Sequence, residues 1–189
     1  MTEFTLYTPE NAPGKSGELL DGALKKMGFL PNLYAKLAES DTALEAYFSL
    51  SSLVSKTSFS PAEQQLILLA ASVENECNYC VAAHSSGARM AKLDKDVIEA
   101  VRTGNPIADE RLEALRKFTE ALVITRGHAK GEMEAFIAAG FDRKNVMEVV
   151  LCVSMKTLSN YSNHLIDTPL DAALQRMEWT GKSELQQTG

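Results

Sequence analysis

The chain has 189 residues, 45% of them hydrophobic, which is long and apolar enough for one domain with a substantial core and excludes disorder. Its net charge of −6, with no clustered Lys/Arg face, excludes nucleic acid as the expected partner. Three cysteines in a chain of this length do not make a disulfide scaffold.

No apolar run approaches the roughly 18 residues of a membrane span, so no membrane association is expected. Met1-Thr2-Glu3-Phe4-Thr5 has neither a basic nor an apolar leader region, and the expected location is a reducing cytoplasm. There a CxxC pair reads as redox-active or metal-binding rather than structural.

In chain order the periodic segments are helical. Pro31 as a first helical residue opens a segment through Leu37, and Thr42 to Ser55 carries apolar residues on one face. Ser60-Pro61-Ala62-Glu63 is a capping box with proline at the first helical position, leading into Leu66, Leu69 and Val73. A cysteine-bearing helix starts at Asn75 or Asn78 and runs to Met90, and Leu93-Asp94 begins a short successor. Asn105-Pro106 breaks the chain before an amphipathic helix from about Asp109 to Thr125. Gly127 and Gly131 mark a turn, Gly140 ends another short helix, and Asp142 caps the helix carrying Val146, Val149, Val150 and Val153. Thr168-Pro169-Leu170-Asp171 reads as a last helix start. No stretch alternates as a strand does, so the expected fold is an all-α, single-domain helical bundle.

A faint internal repeat accompanies this pattern. An offset of 82 residues sets Leu66–Cys80 against Glu148–Ser162, pairing Leu69 with Leu151, Ser72 with Ser154, and Asn78-Tyr79 with Asn160-Tyr161. A second copy would keep the helix and carry Ser159 and Ser162 in place of the thiols.

The run Cys77-Asn78-Tyr79-Cys80-Val81-Ala82-Ala83-His84 concentrates the chemistry. On a helix, positions 77, 80 and 84 fall within an arc of roughly 60°. Cys80 and His84 are four apart, so the imidazole can accept the thiol proton. Cys77 lies a turn earlier, where the unpaired N–H groups of a helix start favour an anion. Such a pair supports a cycle in which the Cys80 thiolate takes an oxygen from a peroxide, Cys77 condenses with the sulfenic acid, and an external dithiol reduces the disulfide.

A zinc site would need a fourth ligand, for which Cys152, His128 and His164 are the other Cys and His residues. Cys152 sits in the apolar run Val149–Val153 as a buried small side chain, His128 in a solvated loop, and His164 near a helix end. No metal and no cofactor are expected. Met27, Met90 and Met155 occupy core-like helical positions; Glu76 reads as decoration of a helix start, while Glu74 is left open.

The segment from Ser60-Pro61-Ala62-Glu63 through Cys77-Asn78-Tyr79-Cys80-Val81-Ala82-Ala83-His84 resembles the core of the carboxymuconolactone decarboxylase superfamily, in its alkylhydroperoxidase D-like, peroxidase-related branch. Met27-Gly28-Phe29-Leu30-Pro31-Asn32-Leu33 and Leu158-Ser159-Asn160-Tyr161-Ser162-Asn163-His164 resemble stretches of the same branch, extending the likeness over about residues 20–180. The resemblance implies an all-helical fold, assembly into trimers or hexamers, and thiol-dependent reduction of hydroperoxides. It implies Cys80 as the peroxidatic thiol, Cys77 as its partner and His84 as a member of a proton relay. The relay glutamate of that family falls twelve residues before the first cysteine, where this chain has Gln65. An amide cannot shuttle a proton, so Glu63 or Glu74 substitutes, the relay is shortened, or activity is low. The superfamily also contains a lactone decarboxylase, whose reaction needs no thiol pair. The alternatives to a peroxidase are thus a decarboxylase-like enzyme without a redox role and a non-catalytic redox-sensing protein.

Overall fold

The structure, a computed structural model, describes residues 3–181. Among them there are helices and connecting turns and no strand. The α-helices are α1 (Ser16–Met27), α2 (Asn32–Leu37), α3 (Asp41–Val54), α4 (Pro61–Glu74), α5 (Asn78–Met90), α6 (Lys95–Thr103), α7 (Glu110–Ile124), α8 (Lys130–Ala138) and α9 (Arg143–Ile166), followed by a 3-10 turn at Ala172–Met177.

α4 is the hub. Ser60 Oγ accepts from the Glu63 backbone N–H and the Glu63 carboxylate accepts from Ser60, so both orphan donors are paired at the start. From Leu66 to Val73 every residue is buried, on all sides of the helix, as expected of an element enclosed by neighbours. α5, α6, α7 and α9 pack around it. Each fully buried Leu or Ile there contributes about 1.5–3 kcal/mol of transfer free energy.

α4 and α5 are joined by a three-residue break that aims the thiols. Asn75 closes α4, Glu76 takes a left-handed φ of 53°, and the Cys77 N–H returns to Ser72 O at 3.0 Å. Cys77 then becomes the N-cap of α5, with Cys80 a turn further on. α9, about 36 Å long at 1.5 Å per residue, begins in a capping box between Asp142 and Asn145. It buries a stripe that turns from apolar to polar: Val149, Cys152 and Met155, then Lys156, Ser159, Asn160 and Asn163. The polar half of that stripe meets the start of α5.

The C-terminal segment is sewn onto α5 and α6. Arg102 donates to Ser85 Oγ at 2.9 Å, Met177 O at 3.1 Å and Glu178 O at 2.9 Å, while buried Trp179 donates to Arg102 O at 2.9 Å.

The all-α expectation holds, with local corrections. Pro31 is the N-cap of α2 rather than its first residue; its ψ of 138° is extended. Gly131 lies inside α8, and only Gly127, at φ 91°, belongs to the turn. Thr168–Asp171 leads into the 3-10 turn rather than an α-helix. Met27 is 42% and Met90 82% exposed, so of the three methionines expected in the core only Met155 is buried. The 82-residue offset sets the broken α4–α5 junction against uninterrupted α9, so the repeat does not pair like geometry over that stretch.

Candidate active site

Cys77 and Cys80 are both buried and both free thiols. Asn163, from α9, donates from Nδ2 to Cys80 Sγ at 3.2 Å and to Cys77 Sγ at 3.6 Å. Ser159 Oγ lies 4.0 Å from Cys80 Sγ. Lys156, with 0% exposure, donates from Nζ to Ser159 Oγ at 3.0 Å and to His84 Nε2 at 2.9 Å. His84 Nδ1 meets Gln65 Oε1 at 3.1 Å.

Those contacts determine the protonation pattern. An amide oxygen only accepts, so His84 Nδ1 carries the hydrogen and Nε2 receives the Lys156 donor. Burial, and then the Lys156 charge, lower the His84 pKa and keep the ring neutral. Burial opposes ionisation of Cys80, but the Cys77 thiol hydrogen bond and the Lys156 ammonium outweigh it and pull its pKa down. The Cys77 pKa goes up, because its proton is held in the hydrogen bond to Cys80 and because burial disfavours its charge. The site is therefore one thiolate and one thiol, with a buried ammonium as counter-ion to the thiolate. Cys152, buried and beside the Glu148 charge, is pushed up to about 12 and stays an inert thiol.

Cys80, His84, Gln65 and Lys156 line a cavity of about 450 Å³. Its other walls are mainly apolar and aromatic, among them Phe29, Leu33, Tyr34, Tyr47 and Leu174, with exposed Met27 and Met90 at its edge. Tyr79 closes one side: its hydroxyl donates to Asp171 Oδ2 at 2.5 Å and accepts from the Leu33 N–H at 3.3 Å. Asp171 Oδ1 in turn accepts from the Asn32 N–H at 3.0 Å, tying the C-terminal segment to the start of α2. Gly87 leaves room for the Gln65 amide, since a Cβ there would stand 2.6 Å from Gln65 Oε1.

The fold thus brings together Cys77, Cys80, His84 and Gln65. Among the described residues no hydrogen bond joins His84 directly to Cys80; Lys156 and Ser159 connect them. Sequence reasoning gave no place in the site to Lys156, Ser159 or Asn163, although it noted the stretch that holds the last two. Their spacing of 3 and 4 residues along one face of α9, continuing the buried Cys152 position, was the available signal. Glu63 is held by Ser60 and Arg111 at the other end of α4, in its capping box. His128 and His164 are exposed. No group of three or more His, Cys, Asp or Glu side chains among the described residues is placed to hold a metal ion, and no described helix is long and apolar enough to cross a membrane.

Residues 41–121 match the model of the carboxymuconolactone decarboxylase family. No curated protein sequence matches the chain. Among solved structures, the alkylhydroperoxidase AhpD core of an uncharacterized peroxidase-related protein from Ralstonia eutropha JMP134 superposes with a TM-score of 0.78 at 20% identity, covering 92% of this chain and 96% of that one. A variant of the debrominase Bmp8 in complex with 2,3,4-tribromopyrrole gives 0.76 at 18% identity, covering 94% and 96%. An uncharacterized peroxidase-related protein from Silicibacter sp. TM1040 gives 0.74 at 17%, covering 87% and 88%. Residues 41–121 of the chain are thus similar to the carboxymuconolactone decarboxylase family, and the chain shares the helical fold of the alkylhydroperoxidase AhpD core and the other solved structures named here.

Proposed function

We propose that this protein is a thiol-dependent peroxidase that reduces organic hydroperoxides through Cys80 and Cys77. The observation that carries the reading is the convergence of Lys156 and Asn163 on Cys80 at the wall of an apolar cavity. A thiolate stabilised there by a cation is the nucleophilic form of cysteine. The names of peroxidase-related neighbours with this fold support the same reaction class.

The steps follow from the protonation pattern. The Cys80 thiolate attacks the terminal peroxide oxygen, the O–O bond breaks, and the departing alkoxide takes a proton from the Lys156 ammonium. Cys80 is left as a sulfenic acid. The Cys77 thiol gives up its proton and attacks the Cys80 sulfur; water departs and the disulfide forms. One hydroperoxide becomes one alcohol and one water, and the pair loses two electrons, which an external dithiol or protein thiol returns. His84 and Gln65 orient Lys156 from behind. Gln65 cannot shuttle a proton, so the relay ends at the lysine. Such recycling suits a reducing compartment such as the cytoplasm. The exposed Met147, Tyr161 and Leu165 on α9 fit burial in a homo-oligomer.

Replacing Cys80 by Ser abolishes dithiol-dependent loss of cumene hydroperoxide on this reading; unchanged turnover in C80S would rule it out. A second reading is favoured by the aromatic cavity wall and the neighbour named as a debrominase: the same dithiol would convert a bromoarene to the arene, releasing HBr and forming the disulfide. Bromide release from 2,3,4-tribromopyrrole with no hydroperoxide turnover would favour it over the first. A lactone decarboxylase reading requires that C77S/C80S keep full activity on a lactone acid.

A further inference from the structure

The two sulfurs open to different sides of the protein. Cys80 lines the apolar cavity, to which Cys77 does not contribute. Cys77 lines a second opening of about 420 Å³, to which Cys80 does not contribute. That opening is polar, walled by Glu76, Asn78, Asn163, His164, Asp167 and Thr168, and the Tyr79 ring borders both spaces.

Asn163 marks the opening as a place for a ligand. It is 6% exposed, and its Nδ2 is committed to the two sulfurs, while its Oδ1 accepts from no described group. A buried amide oxygen left without a partner is uncommon, and the S–H or N–H of a molecule standing at Cys77 would satisfy it.

We propose that the reducing dithiol enters through this polar opening and attacks Cys77, while the oxidising substrate reaches Cys80 through the apolar cavity. The proposal rests on the reading of Cys77 and Cys80 as a redox couple. In the oxidised protein a donor thiolate forms a bond to Cys77 Sγ. The Cys77–Cys80 bond breaks, and its electron pair leaves on Cys80 as a thiolate beside Lys156 and Asn163. The donor's second thiol gives its proton to water and attacks the donor's first sulfur. Cys77 is released as a thiolate and takes up a proton, and the donor departs as a cyclic disulfide, two electrons poorer. Exchange prefers the better-stabilised leaving group, and Lys156 together with the shorter of the two Asn163 contacts favours Cys80 over Cys77 in that role. With separate entrances, a bulky product in the cavity does not block re-reduction.

The test begins with full-length protein oxidised by diamide, so that it does not depend on which substrate the cavity takes. The oxidised wild type is treated with 2-mercaptoethanol, free thiols are trapped with N-ethylmaleimide, and peptides are mapped by mass. The mercaptoethanol adduct is expected on Cys77 and the maleimide on Cys80; an adduct on Cys80, or equal partition, would overturn the proposal. In parallel, Asn78→Trp places bulk at the polar opening. It is expected to slow reduction by dithiothreitol tenfold or more and to leave oxidation of the reduced protein by cumene hydroperoxide unchanged. Equal slowing of both half-reactions, or of neither, would also overturn it. Failure of diamide to form a Cys77–Cys80 disulfide would overturn both the proposal and the redox reading beneath it. Loss of cumene hydroperoxide turnover alone would overturn only the peroxidase assignment.

Discussion

Lys156 Nζ donates to His84 Nε2 at 2.9 Å, so the imidazole nitrogen expected to receive the thiol proton is already occupied by a buried ammonium. The cation, rather than the histidine, is the group that acts on Cys80.

Lys156→Met removes that charge while keeping an unbranched side chain of similar length. An opposite charge nearby shifts a pKa by about 1–3 units. The Cys80 pKa is lowered in the native site, so its thiolate persists as pH falls toward that lowered value. Without the cation the pKa rises and the thiolate is lost at higher pH. Alkylation by iodoacetamide at a pH below both values should therefore slow by about tenfold or more. A pH–rate profile for each protein checks this, and superimposable profiles would remove Lys156 from the account.

Gly87→Ala tests the close approach of α5 to Gln65. The new Cβ would stand 2.6 Å from Gln65 Oε1, so the amide must move and its bond to His84 is lost. The expected cost is about 0.5–1.5 kcal/mol of stability, the worth of the hydrogen bond lost when the flexible Gln65 end moves aside. Gln65→Ala in the same chain should recover most of it, because the two changes share one contact. Denaturant titration of the four proteins measures the coupling; strict additivity would contradict the contact.

Gln65→Glu puts a carboxylate against the His84 Nδ1–H. The native His84 pKa is lowered by burial and by Lys156. A neighbouring anion favours the imidazolium, so the pKa should rise. NMR titration of the ring resonances reads this directly, and an unmoved titration would mean that the Gln65–His84 contact does not form in solution.

Tyr79→Phe deletes the hydroxyl that joins Asp171 to the Leu33 N–H. The loss leaves a buried carboxylate short of a donor and should cost about 1–3 kcal/mol. A drop in Tm, with Cys80 alkylation unaffected, is the expected pattern. An unchanged Tm would argue that the tie between the C-terminal segment and α2 carries no net stability.

The cysteine motif was legible because CxxC with His at +4 has few other uses on a helix start. Its register held: Cys77 became the N-cap and Asn78 the first residue of α5. The starts at Ser60, Asp109 and Asp142 were equally readable, since each cap depends on a local side chain. α1 escaped notice because Lys15 offers no side-chain cap and Gly17 and Gly22 weaken the helical pattern. Met27 and Met90 misled because helical spacing identifies a face and not what covers it; here that face borders a cavity. Lys156 was hidden for a different reason. A lysine on a helix is ordinarily solvated, and its burial is offset by Ser159 on its own helix and by His84 and the thiolate at Cys80, the last brought in from 76 residues away.

The most direct test is intact mass of the protein after one equivalent of cumene hydroperoxide, then after a dithiol. The account predicts loss of two hydrogens per chain, full reversal by the dithiol, and absence of that change in Cys80→Ser. A wild-type protein whose mass does not change, or a Cys80→Ser protein that still forms the reversible species, would contradict it.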